Sequence, residues 1–256
     1  MKRYPITIAL LFLVLTNVHA EEKFSLFKLN ARETQLPIIE VSHPNANATV
    51  ILLPGGDSGT GQIVDGMPTS RNFLVRSRQF FHDQSLNVIV VFRASDKSSM
   101  YYDYRLSKEH ANELKEIIAH AKSKYKKPVW LVGTSRGTVS AAAAAIELNQ
   151  EDIAGIVLTA SVTAGRAGAI GAQDIKKITI PTLIVHHKDD GCKVCVPSQA
   201  ASLINRFTSA KVKKFVMIEG GSDPTGDPCG GQHWHGFINF EKETVKIISD
   251  WIKNPA

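Results

Sequence analysis

The sequence predicts an α/β protein with a mostly parallel central sheet and helices on both faces of the sheet. Two observations lead to this expectation. The strand-like segments, such as residues 87–92 and 128–132, are continuous runs of apolar residues rather than alternations of apolar and polar ones. Such runs are typical of strands that are buried on both faces. Segments with helical spacing separate the runs, and strands that alternate with helices favour a parallel sheet.

The predicted elements cover most of the chain. Strands are predicted at residues 24–29, 36–42, 48–53, 87–92, 128–132, 153–159, 182–186 and 214–219. Helical spacing predicts helices at residues 70–84, 106–124, 138–148, 198–207 and 237–253. The segment between residues 159 and 182 is short and contains many small residues, so we expect no large cap domain.

The first twenty residues have the layout of a secretory signal. Lys2 and Arg3 precede an apolar run at residues 6–15, and small or modest residues follow at 18–20. A spanning helix needs roughly 20 apolar residues, so this run is short for a membrane anchor. We therefore expect residues 1–20 to be a signal peptide and the mature protein to be periplasmic or secreted, without a stable membrane anchor. An uncleaved anchor is the alternative.

The charge pattern argues against a nucleic-acid partner. The chain has 256 residues and a formal net charge of +6, but its positive residues are dispersed. The one dense stretch, residues 122–127, stands at the end of a predicted helix, where lysines favour the helix terminus. No repeat or linker divides the chain, so we expect residues 21–256 to form a single domain. The oligomeric state is left open.

A candidate nucleophile lies between a predicted strand and a predicted helix. Gly133-Thr134-Ser135-Arg136-Gly137 is a G-x-S-x-G motif, in which the serine occupies a sharp, strained turn. The flanking glycines give that turn room. The alternative is a glycine-flanked turn with an inert serine. The strand before the motif and the helix after it favour Ser135 as a nucleophile.

A serine needs a base to take its proton, and the base needs an orienting acid. His235 follows the last predicted strand and is the favoured base, with His233 as the competitor. Asp190 follows the strand before it and is the favoured acid, with Asp189 as the competitor. In α/β folds with this serine motif, the serine, the acid and the histidine follow one another in that order along the chain. Ser135, Asp190 and His235 have the same order.

Two loops can supply backbone donors for an oxyanion. One donor is the amide of Arg136, which follows the candidate nucleophile. The other is expected from Gly56 or Asp57, in the glycine-rich loop after residues 48–53. This loop has neither dinucleotide-binding nor P-loop spacing, so we expect no nucleotide and no other cofactor.

These motifs together resemble the α/β-hydrolase superfamily. The segments LPGGDSG, VGTSRG, VHHKDDGCKVCVP and GDPCGGQHWHGF stand where that family keeps its oxyanion loop, nucleophile, acid and histidine. The resemblance implies hydrolysis of an ester or related bond of a small-molecule acyl substrate through an acyl-enzyme. No histidine precedes Gly55-Gly56, so lipase-like specificity is not implied. A peptidase, an acyltransferase and a non-catalytic binding protein on the same scaffold are the alternatives.

Three cysteines leave the disulfide pairing open. Cys192 follows the candidate acid and Cys229 precedes the candidate histidine, so a Cys192–Cys229 bond would tie their loops together. Cys195–Cys229 and Cys192–Cys195 are the alternatives. Nearby histidines and aspartates with these cysteines also suggest a metal site. Their spacing matches no standard zinc motif, and export favours a disulfide, so we expect no metal.

Overall fold

The computed structural model describes residues 23–165 and 168–256; the predicted signal peptide lies outside the described residues. The described strands, in chain order, are β1 (Ser25–Ala31), β2 (Thr34–Val41), β3 (Ala48–Leu53), β4 (Ile63–Val64), β5 (Met67–Pro68), β6 (Leu86–Val91), β7 (Val129–Thr134), β8 (Gly155–Thr159), β9 (Thr182–His187) and β10 (Lys213–Ile218). The α-helices are α1 (Phe73–Arg76), α2 (Arg78–Asp83), α3 (Tyr102–Arg105), α4 (Lys108–Tyr125), α5 (Arg136–Glu147), α6 (Pro197–Leu203) and α7 (Glu241–Lys253).

Eight of the strands form one sheet in the order β1-β2-β6-β3-β7-β8-β9-β10, and β4 and β5 form a separate ribbon. The six strands from β6 to β10 in this order pair in parallel, whereas β1–β2 and β2–β6 pair antiparallel. The expectation of a mostly parallel sheet is therefore confirmed. The antiparallel pairs lie together at one edge.

The central strand β3 shows how the sheet is buried on both faces. Its side chains alternate, so that Ile51 and Leu53 belong to one apolar cluster while Val50 and Leu52 belong to another. The first cluster also contains buried residues of α4, α5 and α6. The second contains those of α1, α2 and α7. Helices thus cover both faces, as the apolar runs predicted.

The segment between β8 and β9 contains two short 3₁₀ turns, Ile170–Ala172 and Ile175–Lys177, in its described part. The described residues include no large cap domain, in agreement with the sequence. None of their helices has the length and hydropathy that crossing a membrane requires.

Two predicted helices differ from the observed ones. The helix expected at residues 70–84 is divided at Ser77 into α1 and α2. Ser77, the residue between them, has a φ of −92° and a ψ of 3°, so the helical backbone geometry is interrupted there. The helix expected from residue 237 begins at Glu241, because Phe237 and Asn239 have φ angles of 56° and 55°.

The contact between α5 and β3 gives a test of the packing. A Cβ atom on Gly137 would lie 1.9 Å from the carbonyl oxygen of Leu53, which belongs to the buried backbone of the sheet. We expect Gly137→Ala to lower the free energy of unfolding by at least about 3 kcal/mol, measured by chemical denaturation. Gly191→Ala is the control, because its added Cβ would meet one atom, the Cβ of Pro228, at 3.4 Å. Equal stability of the two variants would contradict the close approach.

Candidate active site

Ser135 occupies the turn between β7 and α5 in a strained conformation. Its φ is 52° and its ψ is −126°, values that a residue with a side chain rarely adopts. The amide of Ser135 donates to the carbonyl of Thr159 at 3.0 Å. Its carbonyl accepts from the amide of Thr138 at 2.9 Å and from the Thr138 hydroxyl at 2.6 Å. These hydrogen bonds hold the strained turn in place.

The glycines around Ser135 are required by close backbone contacts. A Cβ on Gly133 would lie 2.5 Å from the carbonyl oxygen of Gly137. A Cβ on Gly55 would lie 2.7 Å from the Cβ of Ser135. The motif glycines therefore allow the strand to turn into the helix, and Gly55 allows the loop after β3 to lie against the same turn.

Asp190 and His235 form a buried pair. Asp190 follows β9, and His235 lies in the 3₁₀ turn Trp234–Gly236. Nδ1 of His235 donates to Oδ2 of Asp190 at 2.8 Å, and the two side chains are 5% and 0% exposed. Oδ1 of the same carboxylate accepts from the amide of Cys192 at 2.9 Å. Both carboxylate oxygens are thus hydrogen-bonded, which orients the imidazole ring.

The neighbouring candidates are placed differently. Asp189 is exposed, and its amide donates to Nδ1 of His187 at 3.1 Å. His233 is half-buried and has no hydrogen bond from its ring to a carboxylate among the described residues. Of the two acids and two histidines that the sequence offered, the structure brings Asp190 and His235 together.

A small cavity of about 40 Å³ joins the candidate nucleophile and the candidate base. Nε2 of His235 is buried and has no hydrogen-bond partner among the described residues. Sequence reasoning did not identify Asn72 and Phe73 as lining residues, because they come from a segment without a motif. The lining residues are Gly56, Asn72, Phe73, Thr134, Ser135, Cys229, Gly231, His235 and Gly236.

The loop after β3 places Gly56 at this cavity. Gly56 has a φ of 61°, a left-handed conformation that glycine adopts at little cost. Asp57 is exposed, and its carboxylate accepts a hydrogen bond from Arg93 at 2.9 Å. Arg136 begins α5, where the first backbone amides of a helix lack intrahelical partners. The three candidate oxyanion residues therefore lie on the two segments that meet at Ser135.

Two contacts hold the turn that carries His235. Nη2 of Arg76 donates to the carbonyl of Gly236 at 2.5 Å, and the same guanidinium binds Glu241 through Nε and Nη2 at 3.0 and 2.8 Å. The His187 ring stacks on Trp234, with ring centroids 4.8 Å apart and an interplanar angle of 7°. The histidine turn is thus braced from α1 and from the end of β9.

The cysteines lie beside this pair. Cys192 and Cys229 are joined by a disulfide, which is the first of the three pairings that the sequence left open. Cys195 is a buried free thiol. Burial and the Asp190 charge raise the pKa of Cys195 well above its usual value. A hydrogen bond with Ser135 and the charge of Arg136 lower this pKa, but by less. The thiol is therefore protonated at neutral pH.

A metal ion does not fit the donors at this position. Ligand atoms of Cys192, Cys195 and His235 lie within 4.8 Å of one another. Cys192 is bonded to Cys229, so its sulfur is not a thiolate. Nδ1 of His235 is engaged by Asp190, and Cys195 is held as the neutral thiol. Metals bind thiolates and free imidazole nitrogens, so this group offers one ready ligand atom, Nε2 of His235.

A buried arginine supports the loop after β3. Arg105 is 2% exposed, and its Nη2 donates to Ser58 Oγ at 2.8 Å and to the carbonyls of Pro54 and Gly56, each at 3.2 Å. Its Nη1 donates to Ser140 at 2.8 Å, and its Nε donates to Met100 at 3.0 Å. The sequence did not reveal this role, because all of the acceptors except Met100 are far away along the chain.

Comparison with known proteins identifies the fold. No protein-family model matches the chain, and no curated protein sequence is detectably similar to it. Solved structures do match. An α/β serine hydrolase homologue from Coxiella burnetii is 18% identical, with a TM-score of 0.62, over 88% of this chain and 96% of the other.

Two further structures match over most of their lengths. A dienelactone hydrolase from Anabaena variabilis is 15% identical, with a TM-score of 0.66, over 92% of this chain and 99% of the other. An esterase from Pyrococcus furiosus is 12% identical, with a TM-score of 0.64, over 91% of this chain and 93% of the other. The chain has the α/β-hydrolase fold, in agreement with the resemblance of its motifs.

The Arg105 contacts predict a large loss of stability when the guanidinium is removed. In Arg105→Met, the Pro54 and Gly56 carbonyls and the Ser58 and Ser140 hydroxyls lose a buried donor. We expect the free energy of unfolding to fall by about 3 kcal/mol or more, measured by chemical denaturation. The control is Arg93→Met, which breaks a partly exposed ion pair with Asp57 and should cost less than about 1 kcal/mol. Similar losses in both variants would argue against the buried network.

His186 predicts a pH dependence of stability. Burial lowers the pKa of His186 to about 4, whereas histidine in an unfolded chain has a pKa near 6.5. Between these values the unfolded chain binds more protons than the folded one, so His186 destabilises the fold as pH falls from about 6.5 to about 4. Comparing unfolding at pH 7 and pH 4.5, we expect His186→Gln to lose about 2 kcal/mol less stability than the wild type. Parallel pH profiles for the two proteins would contradict a neutral buried His186.

Proposed function

We propose that the protein is an exported serine hydrolase that cleaves an ester or a related acyl bond through Ser135, His235 and Asp190. One observation carries the proposal. His235 is bonded to a buried carboxylate through Nδ1, and its unpartnered Nε2 is buried at the cavity that Ser135 lines. A strained serine, an imidazole with one free nitrogen and an orienting acid are the parts of an activated nucleophile.

Acylation follows from this arrangement. In the tautomer whose Nδ1 proton faces Asp190, Nε2 has the free lone pair and takes the proton of Ser135 as Oγ attacks the acyl carbon. Asp190 stabilises the imidazolium that forms. When the tetrahedral intermediate collapses, His235 gives that proton to the leaving alcohol, and the acyl group remains on Ser135 as an ester.

Deacylation repeats these steps with water. Nε2 of His235 takes a proton from a water molecule as its oxygen attacks the acyl carbon, and the proton then returns to Ser135 Oγ. The products are a carboxylic acid and the free serine. The same residue thus acts as base and as acid in each half of the reaction.

The charge on the tetrahedral oxygen needs donors that are already in place. We assign this role to the amide of Arg136 and to an amide of Gly56 or Asp57. The amide of Arg136 stands at the N-terminus of α5, where the helix dipole favours negative charge. Arg105 binds the carbonyls of Pro54 and Gly56, which limits movement of the second donor segment. Preorganised donors of this kind give the largest part of many enzymatic rate enhancements.

The neighbouring structures and the disulfide support the rest of the proposal. Proteins with this fold include ones named as an esterase and a dienelactone hydrolase, which favours cleavage of an ester by this chain. A Cys192–Cys229 bond is typical of an oxidising compartment, which agrees with export directed by residues 1–20. Without a large cap in the described residues, the site suits a small-molecule acyl substrate, and no cofactor enters the mechanism.

The triad is tested with a fluorophosphonate probe on the purified, oxidised protein, with the labelled peptide mapped by mass spectrometry. We expect labelling at Ser135 and none in Ser135→Ala. His235→Gln and Asp190→Asn should each slow labelling by about a hundredfold or more, because the base and its orientation are lost. Esters of 4-nitrophenol should be cleaved in preference to aminoacyl 4-nitroanilides.

The adjacent residues provide matched controls. Asp189→Asn and His233→Gln make the same chemical changes one and two residues away, and we expect labelling rates within about threefold of the wild type. A folded wild-type protein that is not labelled at Ser135 would overturn the proposed mechanism. A large loss in Asp189→Asn with none in Asp190→Asn would overturn the assignment of the acid.

A further inference from the structure

Arg136 differs from the other arginines that the structure describes. The guanidinium groups of the others donate hydrogen bonds to carboxylates, hydroxyls, an amide oxygen or backbone carbonyls: Arg32, Arg71, Arg76, Arg78, Arg93, Arg105 and Arg206. Within the described residues, the Arg136 guanidinium has no hydrogen bond and no ion pair. Its five N–H donors are therefore available to a ligand.

Two tyrosines hold this cation. The guanidinium carbon of Arg136 lies 5.3 Å from the ring centroid of Tyr101 and 5.4 Å from that of Tyr102. Both distances are within the range of cation–π attraction. Contact with two aromatic rings limits the rotamers of the arginine and leaves its hydrogen-bonding edge unused. An arginine held in this way loses less conformational entropy when it binds an anion.

The charge of Arg136 lies next to the candidate nucleophile in the chain and acts on residues around it. Arg136 directly follows Ser135, and its side chain is half-buried. Burial raises the pKa of Cys195 while the Arg136 charge acts in the opposite direction, and Cys195 is hydrogen-bonded with Ser135. The same charge adds to burial in lowering the pKa of Arg105. The positive charge of Arg136 therefore acts on Cys195, which is hydrogen-bonded with Ser135, and on Arg105, which binds the loop after β3.

We propose that Arg136 binds a carboxylate of the substrate, so that the preferred substrates are anionic esters whose negative charge lies close to the scissile bond. The planar guanidinium matches a carboxylate with two parallel hydrogen bonds, which gives direction as well as attraction. This inference rests on the proposed function, because it assigns the charge of the substrate that Ser135 attacks.

The test uses pairs of esters that differ in charge and little in shape. One pair is 4-nitrophenyl hydrogen adipate and 4-nitrophenyl methyl adipate, with the charge on the acyl side. The other is 4-acetoxybenzoate and its methyl ester, with the charge on the leaving group. For each pair we take the ratio of kcat/KM for the anionic ester to kcat/KM for the neutral one. We expect Arg136→Gln to lower this ratio at least about tenfold in one pair or both.

Further variants distinguish recognition of the carboxylate by the planar guanidinium from a general effect of positive charge. Arg136→Lys keeps a charge without the planar fork and should give an intermediate ratio. Tyr101→Phe should keep the wild-type ratio, and Tyr101→Ala should lower it, because only the second removes the ring. Arg206→Gln removes an equal charge elsewhere and should leave the ratio unchanged. The wild-type ratio should fall with added salt, because a half-buried ion pair is partly screened.

The outcomes distinguish this inference from the proposed function. If the wild type is not labelled at Ser135 and cleaves none of the four esters, the proposed function fails and the inference fails with it. If the wild type cleaves the esters but Arg136→Gln changes both ratios by less than about threefold, the carboxylate site alone is overturned.

Discussion

The strained turn at Ser135 sets the positions of the segments around it. At this turn, where Ser135 has a φ of 52°, the carbonyl of Gly137 fills the space beside Gly133, and the carbonyl of Leu53 fills the space beside Gly137. The two glycines therefore allow the end of β3 to lie against the start of α5. This contact brings the loop that carries Gly56 to the candidate nucleophile. Arg105 then binds the carbonyls of that loop, so one backbone constraint extends to the donors that we assign to the oxyanion.

The candidate base and acid depend on a second set of contacts. A buried carboxylate is costly unless its oxygens are hydrogen-bonded, and both oxygens of Asp190 have donors, one from His235 and one from the amide of Cys192. The disulfide joins the loop that follows Asp190 to the segment that precedes His235. Arg76 holds the other side of the histidine turn through Gly236. The imidazole is thus held in one orientation, as the proposed proton transfer requires.

The sequence predicted what depends on local pattern and on chain order. Apolar runs predicted the buried strands, and the spacing of glycines around Ser135 predicted the sharp turn. The pattern favoured Asp190 and left Asp189 as its competitor, because adjacent aspartates differ mainly in which side of the chain faces inward; the structure buries Asp190 and exposes Asp189. The break at Ser77 was missed because residues 70–84 contain no glycine or proline that would mark it. Arg105 was missed because its acceptors, up to 51 residues away, are brought together only by the folded sheet.

The free thiol of Cys195 has a consequence for how the protein matures. Cys195 stands three residues after Cys192, whereas Cys229 is 37 residues away, so loop-closure entropy in the unfolded chain favours the local pair. In the folded protein the Cys195 thiol is buried and protonated, which makes its attack on the neighbouring disulfide slow. Pairing is therefore decided while the chain is still folding. If the local pair forms first, thiol–disulfide exchange is needed to reach the Cys192–Cys229 pairing of the folded protein.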